Sequence, residues 1–371
     1  MIDYVEVRAA ATREIIGIID AAKSIIWRVS YYATGDFEIY APCTPLNVGL
    51  LAAGNYITRP NEKHVGIIEH VEITFDIFDG RMIIASGRMA KAILERRIIY
   101  RYADIYSISP TILTGNVETA ARSVVSDNAI ACPFDLNRNI DALVLGSHSG
   151  STKQISGSKQ VTYSNLMTWT NEFLQEYEIG AYIGINANLK LSFNCFEGID
   201  RSVDNTAGNP PVIFSQEFDN LISSKYVYDE TKLKTMALIG GEGEGIARFV
   251  ANVAKIAATG INRREFFINA SSSSKKYKDE HGDEQTLSDE DYNTQLQAIG
   301  KQQIAGAEIL QTFDGVVNVN NGVYQYKRDF NLGDLVTIQD NEIGLYINTR
   351  ILEVIETQDD NGYNITANYG I

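Results

Sequence analysis

Two short windows of this chain repeat one pattern at a fixed spacing, and this repeat constrains the fold more than any other sequence feature. Asn, Gly and Leu recur at matching positions of residues 46–51 and 330–335. Ile and two Glu recur in the same way in residues 67–72 and 351–356. Because 333 − 49 and 351 − 67 both equal 284, the two pairs of windows share one offset.

The order of elements after the second window is also repeated. A turn follows at 79–80, which reads Asp-Gly, and at 361–362, which reads Asn-Gly, and both dipeptides tolerate the positive φ angles of tight hairpin turns. A strand that ends in glycine comes next, at Gly87 and at Gly370. This order predicts two diverged copies of one small β module. Residues 52–66 share no identity with their counterpart, so two unrelated hairpins remain the alternative interpretation.

The N-terminal copy has the pattern of antiparallel strands. Residues 36–40 alternate between polar and apolar side chains, and residues 66–75 are rich in β-branched types. Residues 81–87 form the return strand after the predicted turn at 78–81. Strand, hairpin and strand together favour a small antiparallel barrel or sandwich.

Between the copies the pattern changes to mixed helix and strand. The spacing of apolar residues predicts helices over 116–125 and 164–177, the second with one apolar face. Strands are predicted over 179–185 and 189–196, and β character returns over 212–237. A helix is predicted from Ser288 to about residue 310, because oxygen-bearing and acidic side chains favour a helix N-terminus.

These elements predict an α+β chain dominated by β structure. We expect a first β-barrel domain over 1–100 and an α+β insert over 101–209. We expect a second, discontinuous barrel over 210–255 and 312–371, and a small helical insert over 256–311 that contains a mobile charged loop at 271–290.

Charge and hydrophobicity exclude several classes of protein. The net charge of −15 repels nucleic acid and anionic membranes, so no specific nucleic-acid binding is expected. No run of 18 apolar residues is present and the start lacks a basic and apolar leader, so neither a membrane span nor a signal peptide is expected. Cys43, Cys132 and Cys195 lack CxxC spacing and are predicted to be free thiols.

The glycine-rich run at 236–245 resembles a phosphate-binding loop only superficially. Glu242 and Glu244 within the run would repel phosphate, and no Lys-Ser or Lys-Thr follows. The run is therefore predicted to be the flexible tip of a hairpin between 236–239 and 247–253. No cofactor site is predicted.

No catalytic or metal site is predicted either. The four histidines show no HxH or HExxH spacing: His64, His70, His148 and His281. Residues 146–150 read GSHSG but lack the strand–turn–helix setting of a nucleophile elbow. The carboxylates at 359–360 and at Glu242 and Glu244 lie in predicted turns and should be solvated rather than paired across a cleft.

Aromatic residues offer one more candidate site. Tyr31-Tyr32 and Tyr324-Gln325-Tyr326 could line a carbohydrate site, although such residues more often fill cross-strand pairs and subunit interfaces.

Several segments resemble one family. They are 92–99 (AILERRII), 126–129 (SDNA), 240–243 (GGEG) with Arg248, 259–265 (TGINRRE) and 326–336 (YKRDFNLGDLV). Together they resemble the baseplate hub proteins of long-tailed phages and related prophage tails, notably of Gram-positive hosts, from about residue 36 to residue 370. The Leu-Gly-Asp-x-Val segment is the most specific piece, and none of the pieces is a catalytic signature.

The resemblance implies a trimer in which each subunit contributes two related tube-like β barrels, so that six barrels form a ring. Such a hub adapts a sixfold tail tube to a threefold tip and closes or initiates the tube. Its partners would be the tube or its distal initiator, a central spike or tip protein, the tape-measure protein and other baseplate proteins. It would be assembled in the host cytoplasm and released by lysis within a phage or bacteriocin-type (tailocin) particle.

Many relatives carry a C-terminal lytic or receptor-binding extension, which we expect to be absent here because the second module ends near residue 371. We therefore expect no enzyme. The alternatives from other classes are a tail-tip peptidoglycan hydrolase and a carbohydrate-binding host-recognition protein.

Overall fold

The computed structural model describes residues 2, 4–78, 80–104, 106–278, 284–307, 309–318 and 323–370. The chain divides into two compact units, one formed by Met1–Lys225 with Phe313–Ile371 and the other by Tyr226–Thr312. Strands dominate the described residues, as the sequence predicts. Asp79, His281 and part of the charged loop at 271–290 lie outside the described residues.

The first part of the larger unit consists of strands and one short helix. They are β1 (Val5–Arg8), β2 (Ile15–Ile19), β3 (Ser24–Ser30), β4 (Asp36–Pro42), α1 (Pro45–Leu50), β5 (Tyr56–Thr58), β6 (Gly66–Ile67), β7 (His70–Asp76) and β8 (Gly80–Arg88). The predicted hairpin at 78–81 is confirmed, since β7 and β8 pair antiparallel with Asp76 opposite Gly80.

The middle of the larger unit contains the predicted α+β elements. They are β9 (Arg101–Asp104), β10 (Ser107–Ser109), β11 (Thr111–Leu113), α2 (Val117–Val125), β12 (Leu143–Leu145), β13 (Lys159–Val161), α3 (Leu166–Glu176), β14 (Gly180–Ile185) and β15 (Leu191–Phe196). Both predicted helices are confirmed, and each begins after an asparagine whose side chain accepts backbone N–H groups. Strands β16 (Ile213–Phe214) and β17 (Leu221–Asp229) follow.

One hydrophobic core joins this middle part to the N-terminal strands. Leu166, Phe173 and Leu174 of α3 are buried, and Trp169 and Tyr177 pack against the same cluster. The cluster also includes buried residues from the N-terminal part of the chain: Tyr56, Val65, Ile67, Ala90, Ile93 and Leu94. The apolar face of α3 is therefore the face that the sequence predicts.

The smaller unit packs one helix on one small sheet. Its elements are β18 (Met236–Gly240), β19 (Val250–Ala254), β20 (Glu265–Asn269), β21 (Lys276–Lys278), β22 (Glu284–Thr286) and α4 (Asp289–Ala305). Strands β18 and β19 form the predicted antiparallel hairpin, with Gly240 opposite Val250. Helix α4 begins after Ser288 as predicted but ends at Ala305, where Gly306 follows.

The chain closes with β23 (Leu310–Val317), β24 (Leu335–Asp340), β25 (Leu345–Asp359) and β26 (Gly362–Gly370). These strands join the N-terminal ones in a single large sheet with the order β17-β23-β26-β25-β3-β4-β8-β7. Strand β24 lies beside the first part of β25, and β16 lies beside β24.

This strand order contains a repeat. Numbered along the chain, β3, β4, β7 and β8 lie side by side in the order first, second, fourth, third. Strands β17, β23, β25 and β26 lie in the same order, so that the hairpin β25–β26 is the counterpart of β7–β8. We call these two groups of four the N-terminal and the C-terminal strand set. Across the described ranges no sheet closes into a barrel.

The first repeated window folds differently in the two copies. Residues 46–51 lie in and just after α1, whose first turn holds Pro45 and is capped by Thr44. Residues 330–335 instead form a turn at Gly333, with φ of +91°, before β24 begins. The Asn and Gly residues that the two windows share therefore lie in two different local structures.

We predict that Asn165→Ala destabilises the larger unit by about 1 kcal/mol, because the Asn165 side chain caps α3 by accepting the N–H groups of Met167 and Thr168. Chemical denaturation monitored by circular dichroism measures the change. Glu172→Ala, on the exposed side of the same helix, is the control and should change the free energy of unfolding much less. Equal effects of the two substitutions would contradict the capping role.

Candidate functional site: the sheet junction, its charged cluster and the sheet edges

The two strand sets meet where β25 pairs with β3. The pairing is antiparallel and runs from Glu353 opposite Ser30 to Gln358 opposite Ile25. Glu356 lies opposite Trp27, and both side chains are buried. A carboxylate thus lies in the apolar core at the junction, where it requires partners.

Arg59 is the main partner of Glu356. Its guanidinium group donates two hydrogen bonds to the two carboxylate oxygens, at 3.0 and 2.8 Å. The hydroxyl of Tyr363 donates a third hydrogen bond to Glu356, at 2.6 Å. The guanidinium carbon lies 5.3 Å from the centre of the Trp27 ring. This bidentate geometry is the strong form of an arginine–carboxylate pair.

A second buried carboxylate extends the arrangement. Glu62 accepts hydrogen bonds from the backbone N–H of His64 at 3.0 Å and from Lys327 Nζ at 2.7 Å, and it lies 2.8 Å from His64 Nδ1. Lys327 Nζ also lies 3.6 Å from Glu356. We call Arg59, Glu62, His64, Lys327 and Glu356 the buried charged cluster. It connects the loop after β5 with the C-terminal strand set.

The pKa values in the cluster follow from this pairing. Burial by itself raises the pKa of Glu62, but the hydrogen bond and charge of His64, and Lys327, outweigh it, so the pKa is lowered. Burial likewise raises the pKa of Glu356, and the hydrogen bond and charge of Arg59 reverse this, so it is also lowered. Burial lowers the pKa of His64. Both carboxylates stay ionised at neutral pH, where the cluster contributes stability that is lost as pH falls below the ordinary carboxylate range.

The Leu-Gly-Asp segment is a second structural connection. Gly333 adopts a positive φ and lies against Tyr31, so that a Cβ there would be 2.3 Å from the ring. The buried carboxylate of Asp334 accepts hydrogen bonds from the Ile199 N–H at 2.8 Å and from Arg201 Nε at 3.0 Å. The motif therefore attaches the C-terminal strand set to the segment after β15.

Both outer strands of the large sheet have a free edge within the described part of the chain. Strand β7 ends one side and β17 the other. Ile73 and Phe75 on β7 are 50% and 71% exposed, and Ile222 on β17 is 59% exposed. Neither strand contains proline, which natural edge strands often use to block pairing. The two edges are thus open to pairing with another strand.

The histidines do not meet in one place. His64 lies in the buried charged cluster, His70 lies on β7 near Glu72, and His148 is exposed. Within the ranges that the structure describes, no group of three or more His, Cys, Asp or Glu side chains could hold a metal ion. The cluster is not predicted from the sequence, because Arg59, Glu62 and His64 lie in a segment with the composition of an ordinary polar loop.

The GSHSG segment does not have the geometry of a catalytic triad. Ser149 Oγ donates to Glu118 at 2.7 Å, and His148 Nδ1 lies 3.7 Å from the same carboxylate. A nucleophilic serine needs a histidine base as its direct partner, whereas here the serine is bonded to the carboxylate. Glu118 therefore holds the loop in place.

The other candidates have structural contacts as well. Glu242 accepts hydrogen bonds from Ser274 Oγ and the Lys275 N–H, and Asp359 accepts the N–H of Asn361 in the hairpin turn. The glycine run 240–245 leads through a short 3₁₀ turn into β19 rather than into an α-helix, so it lacks the helix N-terminus of a phosphate site.

The tyrosines of the two aromatic motifs considered for a carbohydrate site lie in two environments. Tyr31 is buried and donates its hydroxyl to the Glu178 carbonyl at 3.1 Å, so it belongs to the core. Tyr324, Gln325 and Tyr326 line a cavity of about 580 Å³. The three cysteines are unpaired, with Cys132 and Cys195 buried.

Comparison with known proteins finds one matching family model and solved structures with a similar fold. The model of the family described as Siphovirus ReqiPepy6 Gp37-like protein matches residues 5–371. The fold is similar to the prophage MuSo2 43 kDa tail protein from Shewanella oneidensis, at 12% identity and a TM-score of 0.55, over 99% of this chain and 98% of that one. It is also similar to the tail protein from Neisseria meningitidis MC58, at 14% identity and a TM-score of 0.57, over 99% and 96% of the chains.

No curated protein matches the chain in sequence. Among the described residues, no helix is both long and apolar enough to cross a membrane.

We predict that Arg59→Met destabilises the larger unit by about 3–5 kcal/mol, because it leaves Glu356 buried without its main partner. The double substitution Arg59→Met with Glu356→Leu should recover much of this loss. Urea denaturation monitored by tryptophan fluorescence measures both, since Trp27 lies beside the cluster.

The control for the cluster is the exposed ion pair of Lys159 with Glu176, at 2.6 Å. Lys159→Ala should cost no more than about 1 kcal/mol. If Arg59→Met lowers the free energy of unfolding as little as Lys159→Ala does, the cluster contributes little to stability.

We predict that stability rises with pH above neutrality because of Lys91. This side chain is 3% exposed, its Nζ donates to the Tyr32 carbonyl at 2.8 Å, and burial lowers its pKa to about 7. In the unfolded chain the proton is held up to about pH 10, so the unfolded state binds more protons between these values and stability increases with pH. Lys91→Met should flatten the increase in the midpoint of denaturation between pH 7 and pH 9, and an unchanged slope would contradict the assignment.

Proposed function

The chain belongs to the family of Siphovirus ReqiPepy6 Gp37-like proteins, and we propose that it is the structural hub of the baseplate in a phage or phage-like tail. Its fold is similar to that of a prophage tail protein and of a second tail protein over nearly the full length of both chains, which supports a place in the tail of the particle. The finer assignment to the hub rests on the repeated strand order in the large sheet.

The observation that carries the proposal is the junction between the two strand sets. Inside one chain, β25 at the end of the C-terminal set pairs with β3 at the start of the N-terminal set. The remaining ends are β7, the counterpart of β25, and β17, the counterpart of β3. In the hub, β7 of one copy pairs with β17 of the next, which repeats the internal junction between subunits. Such a contact is heterologous and closes into a ring.

Three copies place six strand sets around one axis. A ring with two related sets per subunit presents six similar faces to a sixfold tail tube and keeps threefold symmetry for the tip. Each strand set would be part of a tube-like barrel, with the α+β segment 101–209 and the smaller unit, Tyr226–Thr312, as inserts. The barrels of this proposal close between subunits.

The chemistry of the two edges suits this pairing. At the 284-residue offset, residues 353–358 of the internal junction correspond to 69–74, so Glu72 and Ile73 would lie in the new contact. Glu72 is exposed on β7, and Lys225 is exposed on β17. Ile73 and Ile222 supply apolar surface on the same two strands. Opposite charges and apolar residues on the two edges favour the pairing of β7 with β17 over self-pairing of either edge.

The partners follow from this position in the tail. We propose that the hub binds the tail tube or its distal initiator on one side and a central spike or tip protein on the other. The tape-measure protein and other baseplate proteins would lie nearby. The proposal applies equally to tailocins and contractile injection systems, and it includes assembly in the host cytoplasm and release by lysis. It involves no catalytic residue and no specific nucleic-acid contact.

We predict that the purified chain has three times the mass of one chain in solution and that averaged electron-microscopy images show six similar lobes around a pore. Ile73→Lys and Ile222→Lys should each weaken the trimer by about tenfold or more, because a flexible charged side chain would replace the apolar contact that each isoleucine makes across the new strand pair. Light scattering at several protein concentrations measures the dissociation.

Ile246→Lys is the matched control, since Ile246 is fully exposed in the smaller unit and should leave the trimer unchanged. A compact wild-type monomer, or a trimer indifferent to both edge substitutions, would contradict the hub. Loss of turbidity when the protein is added to purified cell walls would instead favour the alternative of a tail-tip hydrolase.

A further inference from the structure

A cavity of about 580 Å³ opens in the larger unit beside the end of β23 and the start of β26. Aromatic rings and carboxamide side chains dominate its wall, and none of its lining residues carries a formal charge. The residues are Val317, Tyr324, Gln325, Tyr326, Phe330, Asn361, Gly362, Tyr363, Asn364 and Ile365. Its volume lies within the range of small-molecule sites.

The aromatic rings are fixed by contacts behind the cavity. The Tyr324 hydroxyl accepts the N–H of Ile213 at 3.3 Å, and its ring lies 6.0 Å from that of Phe214. The ring of Tyr326 lies 5.6 Å from that of Phe330. Rings held in this way present preformed apolar faces at little cost in side-chain entropy.

One carboxamide of the wall is available for a ligand. In the part of the chain that the structure describes, no hydrogen bond engages the side-chain amide of Gln325. The Gln325 backbone N–H is bonded to Asp329, so the segment is held while its side chain is not. A carboxamide offers two donors and one acceptor oxygen, which suits a ligand that both donates and accepts.

The charged groups near the cavity are occupied elsewhere. Lys327 is bound to Glu62 at 2.7 Å, and Arg328 pairs with Asp329 at 2.7 Å. Burial keeps the pKa of Tyr326 well above its ordinary value, so its hydroxyl is neutral. A phosphate, a carboxylate or an ammonium group would therefore lose its hydration without gaining a counter-charge.

We propose that this cavity binds a neutral saccharide. Sugar rings present C–H faces that pack on Tyr324 and Tyr326, and their hydroxyl or acetamido groups both donate and accept hydrogen bonds, as Gln325 requires. The site is independent of the hub assignment, because it lies within one chain and its occupancy does not depend on the oligomeric state that the hub assignment predicts.

The test uses the full-length protein and two neutral trisaccharides, maltotriose and triacetylchitotriose, with sialyllactose as an anionic probe and a proline-rich peptide as a non-sugar probe. Saturation-transfer-difference NMR detects contact, and isothermal titration calorimetry measures affinity. We expect at least one neutral trisaccharide to bind with a dissociation constant of about 1 mM or tighter. Sialyllactose should bind about tenfold more weakly or not at all.

Substitutions locate the binding. Gln325→Ala should weaken it by roughly fivefold, in keeping with the loss of one neutral hydrogen bond, and its unbonded side chain makes misfolding unexpected. Tyr324→Phe, which keeps the ring, should bind nearly as well as wild type. Gln302→Ala on α4 and Tyr106→Ala, both exposed and neither part of the cavity lining, are the matched controls.

Absence of binding by both neutral trisaccharides, undiminished binding by Gln325→Ala, or binding of the peptide alone would overturn the proposal. Weaker binding by Gln325→Ala with unchanged binding by the two controls would establish the site.

Discussion

Strand β25 is the central strand of the larger unit, because it pairs with three different neighbours. Its first part pairs with β24, and its second part pairs with β26 on one side and β3 on the other. Backbone N–H and C=O groups must be paired when buried, so a strand in this central position fixes the register of every strand beside it. The pairing with β3 turns two separate strand sets into one sheet, and the positions of the free edges β7 and β17 follow from it.

The buried charged cluster makes this junction specific. Burying two carboxylates costs more free energy than burying apolar side chains of equal size, so the cluster is not an efficient source of stability. Its geometry, however, is satisfied only when Arg59 and Lys327 meet Glu356, and Lys327 also meets Glu62, in one register. A slip of β25 by one residue would move Glu356 to the opposite face of the sheet and leave Arg59 unpaired in the core. The cluster therefore penalises incorrect alignment of the two strand sets.

The sites that are open to other molecules lie outside the junction of the two strand sets. The junction is internal and closed, whereas β7 and β17 leave the same kind of strand edge unpaired. The cavity lies near the C-terminal hairpin and adjoins the charged cluster, because Tyr363 lines the cavity and its hydroxyl donates to Glu356. A sheet with open edges and a cavity near one hairpin suits a structural component whose contacts are made by surfaces.

Local elements could be predicted from the sequence because their causes are local. Asn116, Asn165 and Ser288 cap helices whose starts the sequence marks, and a glycine with positive φ, Gly80 or Gly362, begins the second strand of each hairpin. The repeated windows and the turns that follow them identified β7–β8 and β25–β26 as counterparts, because turn chemistry and alternation survive divergence. The family resemblance came mostly from other segments, of which 326–336 overlaps a repeated window.

Tertiary structure alone decided what these elements do to one another. The sequence does not show that Glu356 meets Arg59 or that Asp334 holds Arg201, because such contacts join residues far apart in the chain whose meeting depends on strand register. For the same reason the sequence predicted barrels, whereas the chain forms an open sheet with its two strand sets side by side. Hairpin chemistry specifies which strands turn back on themselves, but which strand lies beside which is set by packing and hydrogen bonding across the whole sheet.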